Sequence, residues 1–152
     1  MEDDYYYMNL AIREAQKAAL ADEVPVGAVI VDRLGNVAGY GHNCPISSND
    51  PTSHAEINAI RMACREFCNY RLPDTSLYVT IEPCIMCMGA IIHARIARIV
   101  FGAPDPKWGA AGSLYTMSED QRLNHRPEII SGIYQEKAKQ LLKNFFIAKR
   151  SK

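Results

Sequence analysis

Three metal-type ligands lie in two short stretches, His54-Ala55-Glu56 and Pro83-Cys84-Ile85-Met86-Cys87. A fold in which they share one ion must bring two segments distant in sequence to a single point. The hydrophobic pattern indicates how. Val26–Val31 reads as a strand, Arg33-Leu34-Gly35-Asn36 as a turn, and Val37–Gly41 as the antiparallel return. After a loop from His42 to Asn49, Asp50-Pro51 offers a helix start, with Asp as N-cap and Pro in the first turn. That helix is expected to run to Cys68 and to bury Ile57, Ile60, Cys64 and Phe67. Leu77–Ile81 is a strand, a helix begins near Cys84, and Arg98–Gly102 is a strand again. This succession implies parallel strands joined by right-handed crossovers. Both helices then start at the carboxyl edge of the sheet, where open α/β sheets bind ligands.

The flanks are less informative. Asp3 or Asp4 can cap a first helix through Leu20, with Met8, Ala11, Ala15, Ala18 and Ala19 on one face. Beyond a Gly/Pro-rich loop, Ala103–Ser113, Glu128–Ile133 reads as a last strand of unreadable direction, and Gln135–Ile147 as an amphipathic helix. The chain of 152 residues, 48% hydrophobic and 22% charged, is expected to form one domain, 1–152, with a full core. No apolar run reaches the ~20 residues of a membrane span. The acidic start Met1-Glu2-Asp3-Asp4-Tyr5 is unlike a secretory signal, so a cytoplasmic location is expected. Net charge is zero, but it is unevenly spread: the C-terminal stretch gathers Lys137, Lys139, Lys143, Lys149, Arg150 and Lys152 against Glu136. A basic tail can meet phosphates; a solvated helix end explains it as well.

Cys84 and Cys87 are spaced i, i+3, so a first helical turn can aim both thiols at one ion, and His54 adds a third ligand. Three protein ligands leave a fourth position for water, the mark of a catalytic zinc. Glu56, two residues from His54, can move protons. Other readings remain. Strand, Cys-x-x-Cys, helix is also a dithiol redox arrangement. Cys64 and Cys68 could complete a four-sulfur structural zinc, although buried free cysteines more often act as small hydrophobes. Ser53-x-x-Glu56 could be only a capping box.

The joint pattern H-x-E…P-C-x-x-C is that of zinc-dependent nucleobase deaminases, and the resemblance extends over nearly the whole chain. Glu23-Val24-Pro25-Val26-Gly27-Ala28, Asn43, Asp50-Pro51-Thr52-Ser53-His54-Ala55-Glu56 and Leu77-Tyr78-Val79-Thr80-Ile81-Glu82-Pro83-Cys84 resemble the bacterial tRNA-specific adenosine deaminases of the cytidine/deoxycytidylate deaminase superfamily. So do Phe101-Gly102-Ala103-Pro104-Asp105, Gly109-Ala110-Ala111-Gly112-Ser113, Leu123-Asn124-His125-Arg126 and Phe145-Phe146. The chain departs from the family at Ser53, where Ala is usual, and at Trp108.

The resemblance implies a three-layer α/β/α cytidine-deaminase-like sandwich with a five-stranded mixed sheet. It implies one zinc per chain on His54, Cys84 and Cys87, with Glu56 shuttling protons as water replaces the amine at C6 of the wobble adenosine (position 34) of tRNA-Arg, giving inosine. Asn43, Val26 and Ala55 would meet the base. Asp105, Lys107, Asn124, His125, Arg126, Phe145 and Arg150 would meet the tRNA anticodon arm, with one of Phe145 and Phe146 in the core. A homodimer is implied, for which Ile91, Ile92 and Ile96 offer apolar surface, though core burial accounts for them equally. A zinc deaminase of a free base or nucleotide, such as guanine or cytosine, would share the same four catalytic residues.

Overall fold

The computed structural model describes residues 2–151. Helix α1 (Glu2–Leu20) leads into a hairpin of β1 (Gly27–Val31) and β2 (Val37–His42). A short helix α2 (Pro45–Ser48) precedes α3 (Ala55–Phe67), β3 (Ser76–Ile81), α4 (Ile85–Ala94) and β4 (Arg98–Ala103). A long loop containing one 3-10 turn leads to β5 (Glu128–Ser131) and α5 (Gln135–Arg150). The sheet order is β2-β1-β3-β4-β5. Strand β1 is antiparallel to both of its neighbours, whereas β3, β4 and β5 are mutually parallel. Thus β2, β3, β4 and β5 all point one way, as the strand–helix alternation predicts, and the direction of β5 is now fixed.

Strand residues alternate between two packed layers, giving the expected sandwich. Ala28, Ile30, Leu77, Val79, Ile99 and Phe101 face α3 and α4. Val29, Val31, Tyr78 and Val100 face α1 together with Met8 and Ala11. Ile91, Ile92 and Ile96 belong to the first of these cores, at 0%, 8% and 0% exposure, so they offer no surface for a second copy.

Helix α3 departs from expectation in two respects, and both matter for the site. It begins at Ala55 rather than at Asp50-Pro51, and His54 is its N-cap in extended backbone. Asp50 instead closes a local turn, accepting from the Thr52 amide and hydroxyl. The buried face of α3 is Ala55, Glu56, Ala59 and Ala63; Ile57, Ile60 and Cys64 are only half-buried, and Phe67 and Cys68 are exposed. The reason lies in β2. A Cβ on Gly41 would sit 2.6 Å from the Ala55 carbonyl oxygen and 2.8 Å from the Ala59 nitrogen. Helix backbone rests directly on strand backbone, which selects alanines rather than long side chains for the contact.

Asp4, expected as a cap, lies inside α1 and is buried. It pairs with Arg98 (Nη2–Oδ2 2.7 Å, Nη1–Oδ1 2.9 Å) and accepts from the Tyr78 hydroxyl at 2.7 Å. The Arg98 hydrogen bonds hold its carboxyl below the ordinary 3.8 against the opposing effect of burial. Arg98→Leu would strand that carboxylate and is expected to cost about 3–5 kcal/mol near neutral pH. Because the folded-state pKa is depressed, the contribution of the pair is complete above about pH 4 and fades as pH falls through the folded value. Denaturant melts of both proteins should therefore differ widely at pH 6 and converge as the solution is acidified.

Candidate metal centre

Two helix N-termini converge at the carboxyl edge of the sheet. His54 caps α3 and Cys84 caps α4, both in extended backbone, and Cys87 lies in the first turn of α4. Helix N-termini favour negative charge, and thiolates at such ends are stabilised. The His54 Nδ1 lies 3.6 Å from Cys84 Sγ and 3.5 Å from Cys87 Sγ. A tetrahedral zinc with bonds of about 2.0 Å to nitrogen and 2.3 Å to sulfur spaces those atoms roughly 3.6 Å apart. The ligand set therefore fits the ion in both chemistry and spacing, and Nδ1 is the His54 nitrogen that faces both sulfurs. Among the described residues it is the one cluster of three or more such side chains. Cys64 and Cys68, toward the far end of α3, take no part, which removes the four-sulfur reading.

Burial and mutual contact tune the groups. A hydrogen bond from Cys87 pulls the Cys84 thiol down to about 4, and that same bond, with burial, pushes Cys87 up. The Cys84 contact pushes His54 up. Metal ligation needs both thiols deprotonated, so an arriving ion displaces the proton held between them. Burial pushes the Glu56 carboxyl up to about 7.

Glu56, 4% exposed, faces a cavity of about 440 Å³ that is also lined by His54 and Cys84. Its position in the first turn of α3 resolves the difficulty that residues 54 and 56 point to different sides of a helix: the helix end, rather than its flank, abuts the cavity. Asn43 lines the cavity; its Oδ1 accepts the Ala55 amide at 2.8 Å, and its Nδ2 has no hydrogen-bond partner among the described residues. Val26 lines the wall and accepts the Asn43 amide. Ala55 is fully buried and meets the site only through the bond to Asn43. The added hydroxyl of Ser53 is absorbed by Asn58 and Cys44 at 3.1 Å each.

Asp105 and Trp108 also line the cavity. Lys107, Asn124, His125, Arg126, Phe145 and Arg150 do not. The ring of His125 donates to the Ile96 carbonyl at 2.6 Å, and Arg126 donates to that of Leu123. Neither phenylalanine of the pair is core: Phe145 is half-buried, and Phe146 is 47% exposed. In the basic stretch Lys149 pairs with Asp22 and Arg150 donates to the Phe146 carbonyl; Lys152 lies outside the described residues.

Among the buried carboxylates that escaped the sequence reading, two hold loops next to the site. Glu23 accepts the Ile46 and Ser47 amides at 3.1 and 2.7 Å, fixing α2 beside the cavity. Burial raises its pKa, but those hydrogen bonds more than compensate, leaving it below its ordinary value. Glu82 grips the opposite loop. Its Oε1 accepts the Asp105 amide at 3.0 Å and the Ser113 hydroxyl, and its Oε2 accepts the Ala111 and Ser113 amides at 2.9 and 3.0 Å. A Cβ on Gly109 would lie 2.3 Å from the Glu82 carboxyl, so only glycine allows this grip. The available signal was chemical: an acid at the end of an apolar strand, two residues before a metal-type cysteine. Glu82→Gln places a donor among donors and is expected to destabilise by about 1–3 kcal/mol. Faster hydrogen exchange at the Ala111 and Ser113 amides, with α1 unchanged, would report the loosened loop.

The profile of the cytidine and deoxycytidylate deaminase zinc-binding region matches residues 1–103. The tRNA-specific adenosine deaminase of Haemophilus influenzae is 48% identical over 149 residues, covering 98% of this chain and 86% of that protein. The solved structure from work on A-to-I editing by tRNA:A34 deaminases at the wobble position of transfer RNA superposes with a TM-score of 0.87 at 44% identity, covering 90% of this chain and 99% of that one. The guanine deaminase of Bacillus subtilis superposes less completely, with a TM-score of 0.62 at 40% identity over 65% of this chain and 63% of that one. With the ligand spacing above, these likenesses assign one zinc ion per chain to the cluster. The chain belongs to the tRNA-specific adenosine deaminases, within the zinc-dependent cytidine and deoxycytidylate deaminase family.

Proposed function

We propose that this protein hydrolyses the wobble adenosine, position 34, of tRNA-Arg to inosine and ammonia. The observation that carries the chemistry is the Glu56 carboxyl: it is buried, raised to about 7 and faces the cavity that the metal ligands also line. A group titrating near neutral pH can both take and give a proton. Zinc held by His54, Cys84 and Cys87 supplies the Lewis acidity that makes water nucleophilic near neutral pH.

Glu56 takes a proton from the attacking water as its oxygen bonds to C6, and hands that proton to N1 of the ring. It then moves the remaining hydroxyl proton to the exocyclic nitrogen, which leaves as ammonia, and the C6 carbonyl forms. Asn43 Nδ2 donates to the base, and the Val26 side of the cavity packs against it. To reach Glu56 in this cavity the adenosine must leave its stack, as enzymes acting on bases in structured nucleic acid generally require. Asp105 at the cavity wall, and Lys107, Asn124, His125, Arg126, Phe145 and Arg150 outside it, are proposed to meet the anticodon arm. The resemblance to the family extends the proposal to a cytoplasmic homodimer.

The likeness to a guanine deaminase favours one competing reading, a deaminase of free bases. Incubating the zinc-loaded protein with a tRNA-Arg anticodon stem-loop, and separately with free guanine, cytosine and adenosine, decides between them. Inosine at the wobble position, with free bases untouched, is the expected result; turnover of a free base alone would transfer the assignment. Glu56→Gln should keep one zinc per chain, measured by elemental analysis, while inosine formation falls about 10²–10⁴-fold. Removing the metal with a chelator should abolish activity, and restoring zinc should return it.

A further inference from the structure

Trp108 is the single tryptophan of the chain, and it is 67% exposed at the edge of the catalytic cavity. An indole carries a large apolar surface that folding ordinarily hides. Here no ring, cation or hydrogen bond among the described residues engages it. The backbone beneath it is firmly held. The Asp105 Oδ1 accepts the Lys107 and Trp108 amides at 3.0 and 3.3 Å, and the Gly109 amide donates to the Asp105 carbonyl at 2.9 Å. Glu82 anchors Asp105 on one side and Ala111 and Ser113 on the other. Exposed Ile85 lines the same cavity. An unpartnered aromatic face is therefore presented at the mouth on a braced loop, with a lysine, Lys107, as the preceding residue of the chain.

That combination is a single-strand nucleic-acid binding device: a stacking ring next to a charge that can meet phosphate. When the target base leaves its stack and enters the cavity, the base beside it in the strand loses a neighbour. We propose that Trp108 is the stacking platform for that adjacent nucleobase, and so a specificity-determining residue favouring an RNA strand over a free nucleoside. This assignment rests on the RNA reading above. A free base has no neighbour and gains nothing from the platform.

As the only tryptophan, Trp108 reports its own contacts. The probe is an anticodon stem-loop with inosine already at the wobble position, so that no turnover occurs during titration of the zinc-loaded protein. Its binding should quench the tryptophan emission, and an abasic site on one side of the inosine should remove the quench. With the adenosine stem-loop as substrate, Trp108→Ala should raise KM by about 5- to 150-fold, the equivalent of one lost base–aromatic stack. The loss should fall on KM rather than kcat, and Trp108→Tyr should recover most of it, with zinc content confirming that both variants fold. A quench that survives abasic sites on both sides, or an unchanged KM in Trp108→Ala, overturns the stacking assignment while inosine formation by the wild type leaves the RNA reading standing. Wild-type protein that makes no inosine on the stem-loop overturns both.

Discussion

Everything about the site depends on two helix ends meeting at one point. His54 belongs to the crossover between β2 and β3, and Cys84 and Cys87 to the crossover between β3 and β4. They meet because β2, β3 and β4 run in the same direction, so both crossover helices start from the same edge of the sheet. The antiparallel β1, wedged between β2 and β3, presents its amino end at that edge and delivers Val26 to the same place. Three nearby atoms are thus a consequence of strand direction. The glycine contact beneath α3 sets how close the first helix lies to the sheet, and hence where its end points.

Around that meeting point the protein uses buried acids as structural clamps rather than as reagents. Glu23 and Glu82, at 1% and 3% exposure, each bind backbone amides of a loop bordering the cavity. Both are fully occupied by hydrogen bonds. Glu56 is different: it is equally buried, but no backbone loop claims it as a clamp. Its environment raises its proton affinity, whereas the environment of Glu23 lowers it. Similar carboxyls in similar burial thus serve opposite purposes, decided by what donates to them.

Much of this was legible in the residues. The alternation of strand and helix patterns implied the common edge, and the spacing of His54, Cys84 and Cys87 implied the cluster. What escaped reading depended on contacts distant in sequence. Asp50-Pro51 carries good local signals for a helix start, yet Thr52 takes Asp50 into a turn and α3 waits until Ala55. The face buried by α3 could not be ranked by hydrophobicity, because Gly41 admits alanine where isoleucine would clash. Phe145 and Phe146 look like core in composition but sit on a helix whose buried contact is Ala138. Glu82 looked like an ordinary strand end until Ala111 and Ser113 folded back onto it.

The Glu82 clamp also bears on how such a protein can change its preferences. Apart from the Ser113 hydroxyl, what it holds is main chain, so residues 105, 107 and 108 contribute nothing to the grip with their side chains. The metal-binding half of the molecule and the outward-facing half are joined by a fastening largely indifferent to what the outer half displays. Side chains at positions 107 and 108 can be exchanged while the frame beneath them stays shut, provided Gly109 keeps its space and the Asp105 carboxylate keeps the two amides it accepts. In that sense the loop behaves as an interchangeable face plate, mounted two residues from a metal ligand yet free to vary without disturbing it.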